Sequence, residues 1–448
     1  MKKVNQKLIL TIILISYFMI LLDNSIIFTG TVKIAASLQL SPTNLSWVSN
    51  AYSLTFGGLL LLGGRLGDVF GRKRIFAVGL IIFGMGSLCV GLANSALTII
   101  LARAFQGIGS AILAPTTLAL LMDHFTGVAR TKAIAAYGAT AGIGASLGLV
   151  IGGLFASLLS WRVGFFINVP IALVMLVLTL KFVPAQPTTQ APTLDFRGAL
   201  TSILGMTALV YSLVGAQYRL GALLVALGML ALFIRHEATT DNPMMPLHLF
   251  KDRERLGGYL ARFFYLGAML TMWFLTPQVM QTQLGFSPLI AGFGFFPLTL
   301  INFVVALQVA KMTARFGNTR LLIVGISVTI LGMASLGCFN LKTGYGLGIA
   351  LPMILMGIGQ GLTLSPLTVA GVAHTNSADA GAASGVVNMV HQIGGSIGLS
   401  LLVAIASQFK QQLISYRIAM WGATSLLVLA LIAVLGLILP TTRKGGGY

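Results

Sequence analysis

Residues 8–32 read LILTIILISYFMILLDNSIIFTGTV, and this stretch decides the fold class of the chain. It is long enough to cross a bilayer, which takes roughly 20 consecutive apolar residues in a helix. One side chain in it, Asp23, does not suit hydrocarbon, because an ionisable group at that depth is costly unless it faces a cavity or a partner. The stretch therefore predicts a membrane-spanning helix that carries a functional carboxylate.

The composition extends this prediction to the whole chain of 448 residues. The chain is 56% hydrophobic and 8% charged, with a mean hydropathy of +0.94, whereas a soluble domain carries about 25% charged residues. Its apolar runs are continuous rather than alternating, which favours membrane helices over a barrel. We predict 14 spans, near residues 8–32, 46–63, 75–93, 97–121, 132–157, 163–182, 197–215, 219–236, 257–281, 289–311, 321–340, 346–370, 380–407 and 418–440.

The net charge of +19 is distributed as in a membrane protein and does not indicate nucleic-acid binding. Most Lys and Arg residues fall on one side of the predicted spans, and we place Arg103 alone within a span. The six on the other side are Lys33, Arg162, Arg219, Lys342, Lys410 and Arg417. The basic side is expected to be cytoplasmic and to hold both termini. The other eight acids also fall there, which leaves Asp23 as the only acid expected within the membrane.

A short internal repeat suggests two related halves. The sequence GMGSL at residues 84–88 recurs as GMASL at residues 332–336, each after a basic loop, with offsets of 246 to 248 residues. We predict an N-terminal six-helix bundle (1–182), a linker with two extra helices (183–256) and a C-terminal six-helix bundle (257–448). Repeated halves in a helical membrane protein are typical of transporters that alternate access around a midplane site.

The loop after the second span reads GRLGDVFGRK, residues 64–73, and contributes Gly64, Arg65, Asp68, Gly71, Arg72 and Lys73. A tight turn explains the glycines, but Asp68 needs a helix N-terminus or an arginine as its partner. The loop resembles the G-x-L-x-D-x-x-G-R-[RK] signature of the major facilitator superfamily. The resemblance implies a latch that holds the two halves of the transporter outward-open. The second-half copy has Ala314 in place of Asp68.

The fourth span contains RAFQGIG at residues 103–109. Arg103 is either a snorkelling arginine or the partner of Asp23, and we expect the pair, since both lie at similar depth. The stretch is similar to the R-x-x-x-G-x-G motif of the superfamily, which implies a part in proton transfer.

The fifth span carries Gly144, Gly148, Gly152 and Gly153, a spacing typical of close helix packing. It resembles the antiporter motif G-x-x-x-G-P-x-x-G-G, with Leu149 at the proline position. Residues 161–170 (WRVGFFINVP) and 22–27 (LDNSII) resemble motifs of the fourteen-helix drug:proton antiporter family.

Several side chains within the spans are candidates to line a substrate cavity. For the aromatic ones, lipid contact or core packing is the default, although a subset facing a cavity would suit flat lipophilic cations. For the polar ones, a structural hydrogen bond is the default, with a proton relay as the alternative for His391. The candidates are Asn24, Tyr52, Phe56, Gln106, Trp273, Gln278, Phe296, Asn302, Asn388 and His391.

Together these observations predict an all-α polytopic membrane protein of the major facilitator fold with 14 transmembrane helices. The resemblance implies a proton-coupled antiporter in a bacterial cytoplasmic membrane. It would export small-molecule drugs that are lipophilic and mainly monocationic or zwitterionic, such as dyes, quaternary ammonium compounds and fluoroquinolone-like antibiotics. We expect a monomer driven by protons, without cofactor, metal or enzymatic activity. The alternatives are a transporter for one metabolite or nutrient, a proton-independent uniporter, and a membrane receptor or scaffold.

Overall fold

The computed structural model describes residues 6–184, 194–215, 217–241, 243–376 and 379–441, and these residues form helices without any strand. The helices are α1 (Gln6–Leu38), α2 (Pro42–Phe70), α3 (Arg72–Leu92), α4 (Ala96–His124), α5 (Gly127–Leu158), α6 (Trp161–Phe166), α7 (Asn168–Phe182), α8 (Phe196–Val214), α9 (Arg219–Thr239), α10 (Arg253–Gln283), α11 (Pro288–Phe293), α12 (Phe296–Phe316), α13 (Asn318–Gly337), α14 (Leu351–Gly371), α15 (Ala380–Ala406) and α16 (Gln412–Ala433).

The predicted all-helical membrane fold is confirmed. Thirteen helical segments of the described residues are long and apolar enough to cross a membrane. The fifth predicted span corresponds to α5, which runs for 32 residues. Two spans are broken helices: α6 and α7 together form Trp161–Phe182, and α11 and α12 form Pro288–Phe316. The chain is thus a multi-pass membrane protein, because helices satisfy their own backbone polar groups in a medium without water.

The chain divides into two compact units. The first unit comprises residues 1–207 and 240–244, and the second comprises residues 208–239 and 245–448. The predicted division into two bundles and a linker stays a prediction, and residues 185–193 of that linker lie outside the described residues. The predicted cytoplasmic location of the termini likewise concerns ends, residues 1–5 and 442–448, that the structure does not describe.

The two units use the same helix pairings. In the first unit α1 packs on α5, α2 and α3 pack on α4, and α3 packs on α7. In the second unit α10 packs on α15, α12 and α13 pack on α14, and α13 packs on α16. The helices therefore correspond in chain order, and the internal repeat is one of structure as well as sequence.

The start and end of α3 fix the register of this repeat. Gly71 precedes α3 and Gly317 precedes α13, 246 positions later, and both have a positive φ (92° and 80°) that favours glycine. At the far end, Arg162 donates to the carbonyl of Gly91, and Arg417 donates to the carbonyl of Gly337. Gly337 again lies 246 positions after Gly91. The helices α3 and α13 are thus counterparts residue for residue.

The close approach of α4 to α3 gives the register of the fourth helix. A Cβ on Gly86 would lie 2.7 Å from Gln106, and a Cβ on Gly332 would lie 2.6 Å from Met356. Gly86 is therefore the counterpart of Gly332, and Gln106 that of Met356. The matching letters GMGSL and GMASL pair Gly84 with Gly332 instead, so they are two residues out of the structural register.

The first helices α1 and α10 follow the same register. A Cβ on Gly30 would lie 3.8 Å from the Cβ of Trp161, the residue before Arg162. Thr276, 246 positions after Gly30, contacts Tyr416, the residue before Arg417, with 3.1 Å between the hydroxyl oxygens. Residues 7–37 of α1 thus have counterparts in α10, 246 positions later.

Candidate functional site

A buried polar cluster lies in the middle of the first unit, and we call it the Asp23 cluster. Its members come from four helices: Asp23 from α1, Ser87 from α3, Arg103 and Gln106 from α4, and Asn168 from α7. Each is at most 1% exposed. Burial of this kind is tolerated only when charges are paired and polar atoms find partners.

The Asp23 carboxylate accepts three hydrogen bonds. Arg103 Nη1 donates to Oδ2 at 2.6 Å, while Gln106 Nε2 and Asn168 Nδ2 donate to Oδ1 at 2.8 and 3.0 Å. The same two amides donate to the Ser87 hydroxyl, at 2.6 and 3.3 Å. The predicted meeting of Asp23 and Arg103 is therefore an ion pair within a network, and Arg103 does not snorkel to the helix end.

Arg103 has further partners that do not depend on Asp23. Its Nε donates to the carbonyl of Val48 at 3.1 Å, and its Nη1 donates to Gln106 Oε1 at 2.6 Å. The guanidinium carbon lies 4.1 Å from the centre of the Tyr52 ring, within range of a cation–π interaction. The arginine is thus held by oxygen acceptors and an aromatic face as well as by the carboxylate.

The local sequence explains how these side chains meet. Arg103 and Gln106 are three residues apart, so they lie on one face of α4. That face approaches α3 closely because Gly86 has no side chain where Gln106 packs. Asn168 is the first residue of α7, at the break between α6 and α7. The break places its amide inside the unit rather than along a continuous helix surface.

The candidate cavity residues of the first unit surround this cluster. Asn24 Nδ2 donates to the Tyr52 hydroxyl at 3.2 Å, and that hydroxyl lies 2.6 Å from the hydroxyl of Ser110. Phe56 meets the Tyr52 ring edge-on, with 5.8 Å between centroids. Tyr52 and Phe56 are buried in the core of the unit, while Asn24 is partly exposed.

The loop motif of residues 64–73 forms a second charged group, at the end of α2 and the start of α3. Arg72 bridges two carboxylates: it donates to Asp68 at 3.1 Å and also to Asp123 on α4. The neighbouring Lys73 donates to the carbonyl of Leu180 on α7, at 2.9 Å. Arg65 is exposed. A Cβ added at Gly64 would contact only Pro115, at 3.6 Å. The motif therefore ties together the ends of α2, α3, α4 and α7.

The glycines of α5 pack against α1, the helix that carries Asp23. A Cβ added at Gly144, Gly148 or Gly152 would lie 2.9 Å from Leu21, 2.5 Å from Ser25 or 2.7 Å from Ile26 respectively. Gly153, next to Gly152, is buried. These distances are too short for any side chain. The glycines therefore let α5 pack closely against α1, as their spacing in the sequence predicts.

The candidate residues of the second unit make separate, local contacts. Trp273 stacks on Phe295 and Phe296 meets Phe293 edge-on, with centroid distances of 5.0 and 5.2 Å. Gln278 and Asn388 donate to backbone carbonyls of their own helices. Asn302 is half-buried. His391 accepts a hydrogen bond from Arg262 at 3.2 Å. The contacts described for the second unit do not join these candidates into one cluster.

Sequence reasoning missed several residues of these networks. Ser87 and Asn168 were visible only as parts of motifs, and Asp123 only as one of the basic-side acids. The assignment of Arg103 as the only cation within a span is wrong, because Arg262 on α10 is 7% exposed and lies well inside the helix. A second buried acid also exists, since Glu237 is 3% exposed in the last turn of α9, where it accepts from the backbone N–H of Met245.

The positions of the Asp23 cluster have apolar counterparts in the second unit. The register of the repeat matches Asp23 with Met269, Ser87 with Met333, Arg103 with Met353, Gln106 with Met356 and Asn168 with Ala423. The last match follows because Phe166 packs at Gly91 as Trp421 packs at Gly337. All five counterparts are at most 2% exposed. The fold is repeated, but at these five positions only the first unit carries charged or polar side chains.

This architecture, two related helical units of which one buries an ion pair between its helices, defines a membrane transporter rather than an enzyme. The sequence matches the Major Facilitator Superfamily over residues 13–399. The chain belongs to that superfamily.

Similar curated proteins include exporters and resistance proteins. The MFS-type transporter EfpA of Mycobacterium tuberculosis is 36% identical over 399 residues, covering 86% of this chain and 74% of that protein. The puromycin resistance protein pur8 of Streptomyces alboniger is 36% identical, covering 89% of this chain and 81% of that protein. The lincomycin resistance protein of Streptomyces lincolnensis is 30% identical, covering 94% and 89%.

Solved structures show the same fold at low sequence identity. A D-xylose-proton symporter superposes with a TM-score of 0.72 at 16% identity, covering 96% of this chain and 97% of that one. A peptide transporter of the POT family superposes with a TM-score of 0.74 at 14% identity, covering 97% and 95%. These similarities support the fold alone.

Proposed function

We propose that this protein is a proton-coupled antiporter that exports lipophilic drugs, mainly monocations and zwitterions, across a bacterial cell membrane by alternating access. Drug export is supported by relatives named for resistance to puromycin and lincomycin and for cephamycin export. Proton coupling is supported by one observation above all: Asp23 is fully buried and paired with Arg103, and Arg103 has further acceptors of its own.

The first step of the proposed mechanism is protonation of Asp23. A proton on the carboxylate removes its negative charge and with it the ion pair to Arg103. The guanidinium is not left bare, because it keeps the carbonyl of Val48, Gln106 Oε1 and the Tyr52 ring. The usual penalty for breaking a buried pair, an uncompensated charge, is thereby reduced.

Asn168 supplies what the protonated acid needs. Its Oδ1 is buried and has no hydrogen-bond partner among the described residues, while its Nδ2 faces the carboxylate. A carboxylic acid donates one hydrogen bond, and rotation of the amide by half a turn would present Oδ1 to accept it. The site can thus satisfy both protonation states of Asp23 without moving a helix.

Antiport follows if drug cation and proton compete for the same carboxylate. A monocation bound near ionised Asp23 neutralises the carboxylate as a proton does. Asp23 therefore holds either the drug or a proton at any one time, so the drug is carried in one direction and the proton in the other. The aromatic rings of Tyr52 and Phe56 beside the cluster suit a flat lipophilic cation. A change in pairing at Asp23 is transmitted along α1 to the glycine face of α5, where the two helices touch most closely.

The proposed function is tested with Asp23→Asn in proteoliposomes loaded to give a pH gradient without a voltage. Wild-type protein is expected to drive ethidium transport that stops when the pH gradient is dissipated. Asp23→Asn keeps the size of the side chain but removes the titratable group, and is expected to reduce gradient-driven transport to the level of empty liposomes.

Met269→Leu, a volume-conserving change at the counterpart position, is the matched control and should transport ethidium as the wild type does. Normal gradient-driven ethidium transport by Asp23→Asn would contradict the assignment of Asp23. Ethidium transport by the wild type that is indifferent to the pH gradient would favour the uniporter instead.

A further inference from the structure

Two buried arginines, Arg255 and Arg262, lie in the second unit, outside the site described above. Arg262, on α10, donates from Nη1 to the hydroxyl of Thr368 on α14 at 3.0 Å and from Nη2 to Nδ1 of His391 on α15 at 3.2 Å. We call these three residues the Arg262 cluster. The side chain of Arg262 is more than nine-tenths buried, and its Nε has no hydrogen-bond partner among the described residues.

The described part of the second unit supplies no carboxylate to Arg262. Glu237 accepts from the backbone of Met245, Asp252 caps α10 and faces His374, Glu254 faces His374, and Asp379 faces His248. These acids have partners elsewhere, so the guanidinium is buried with only neutral acceptors. In protein interiors a buried charge is normally paired, because desolvation without a counter-charge is costly.

His391 acts here as a neutral acceptor. Its Nδ1 receives the hydrogen bond from Arg262, which requires that nitrogen to be unprotonated. A protonated ring would place two cations side by side. The histidine therefore orients the guanidinium and leaves its positive charge unbalanced.

The Arg262 cluster reaches the exposed surface of the protein at Thr368. Thr368 and, one turn before His391 on α15, Asn388 are exposed polar residues. A guanidinium has five N–H donors in a planar fork, and the two protein acceptors leave donors available. This fork can bind the two oxygens of a carboxylate through two parallel N–H···O hydrogen bonds.

We propose that the Arg262 cluster binds the carboxylate of a transported substrate, and so admits carboxylate-bearing and zwitterionic drugs. The proposal rests on the proposed function, since it concerns the substrates of that transport.

The test compares norfloxacin, which has a free carboxylate, with its methyl ester, which does not. Both are measured in the same proteoliposomes, and the result is the ratio of the two transport rates. Arg262→Gln keeps a donor for Thr368 but removes the charge, and should lower this ratio about tenfold or more, as expected for a hydrogen bond to a charged group. Arg262→Lys keeps the charge without the fork and should restore part of the ratio.

Arg417→Met is the matched control. It removes the same charge from the same unit, where the arginine donates to the carbonyl of Gly337, and should leave the ratio unchanged. An equal loss of norfloxacin and ester transport in Arg262→Gln would assign a structural role to Arg262 and overturn the proposal.

A binding measurement separates a drug carboxylate from a lipid phosphate. Purified wild type should be thermally stabilised by norfloxacin more than by its ester, and Arg262→Gln should lose the difference. If dihexanoyl phosphatidylglycerol stabilises the wild type through Arg262 while norfloxacin does not, the anion is a lipid headgroup and the proposal is overturned. Failure of the wild type to transport ethidium on a pH gradient would instead count against the proposed function.

Discussion

The two units fold alike and differ in what fills the same positions. Where the first unit buries an acid, an arginine, two amides and a hydroxyl, the second buries four methionines and an alanine. Methionine is flexible and apolar and fills such space without needing partners. The difference shows that helix packing in this fold does not require the polar network. A costly network kept in one unit only, and replaced by methionine in the other, is best explained by function.

The largest expected effect comes from giving the first unit the chemistry of the second. Arg103→Met gives the first unit the residue type that stands at the counterpart position, Met353, of the second unit. It leaves Asp23 buried without its cation. Removal of one partner of a buried ion pair typically costs about 3–5 kcal/mol. We expect a large fall in thermal stability of the purified protein and no gradient-driven ethidium transport.

The double variant Asp23→Met with Arg103→Met sharpens this comparison. Because well-packed apolar residues can replace a buried ion pair without loss of stability, the double variant should regain most of the stability lost by Arg103→Met. It should still fail to couple ethidium transport to protons. A double variant as unstable as the single one would show that the network is needed for folding of the first unit.

The next effect concerns the charge of the substrate. Asp23 can neutralise one positive charge, and its counterpart Met269 cannot neutralise a second. Propidium, a dication with the ring system of ethidium, should be exported about tenfold more slowly or worse, because an uncompensated charge in a low-dielectric site is costly. Paired assays with separately set pH and voltage gradients measure this. Efficient propidium export would mean that a second acid takes part.

A smaller effect is expected at the glycine face of α5. A side chain at Gly148 would collide with Ser25, whose Cβ lies 2.5 Å from the position of an added Cβ, and overpacking typically costs about 1–3 kcal/mol. Gly148→Leu should insert into the membrane and fail to export ethidium. Gly138→Leu on the same helix, where nothing lies within 4 Å, is the control. Equal transport by both variants would show that the close contact is incidental.

The smallest effect is expected at the loop of residues 64–73. Asp68 is partly exposed, and an exposed ion pair typically contributes less than about 1 kcal/mol. Its counterpart is Ala314, so the second unit does without this carboxylate. Asp68→Asn should slow turnover of ethidium while its equilibrium affinity stays near the wild-type value. A large loss of affinity at normal turnover would contradict a conformational role.

The sequence was sufficient for the spans and for the central ion pair. Hydrophobic length predicts helices in membranes because few other structures satisfy the backbone there. The meeting of Asp23 and Arg103 was predictable because two opposite charges at similar depth have strong reason to pair. The close packing of the α5 glycines was predictable because their spacing places them on one face of the helix.

The partners of that pair could not be predicted, because they depend on how each helix is rotated. Asn168 reaches Asp23 because of the break before α7, and Ser87 meets the two amides that bind Asp23 because α3 and α4 approach closely at Gly86. Arg262 lies within the predicted span 257–281 but was counted with the cations of the basic side, and only its contacts with Thr368 on α14 and His391 on α15 show that it is buried in the second unit. The repeat was visible in sequence, but its register required contacts such as those of Gly91 and Gly337.

The most direct test of the central claim is the release of protons when a drug binds. Ethidium is added to purified protein in a weakly buffered detergent solution at a pH low enough for drug-free Asp23 to be protonated and at which the wild type still binds ethidium, and the pH change is recorded. The account predicts about one proton released per ethidium bound by the wild type and by Met269→Leu, as linkage requires for competition at one carboxylate. It predicts none from Asp23→Asn. Proton release that persists in Asp23→Asn, or is absent from the wild type, would contradict the claim that Asp23 exchanges a proton for the drug.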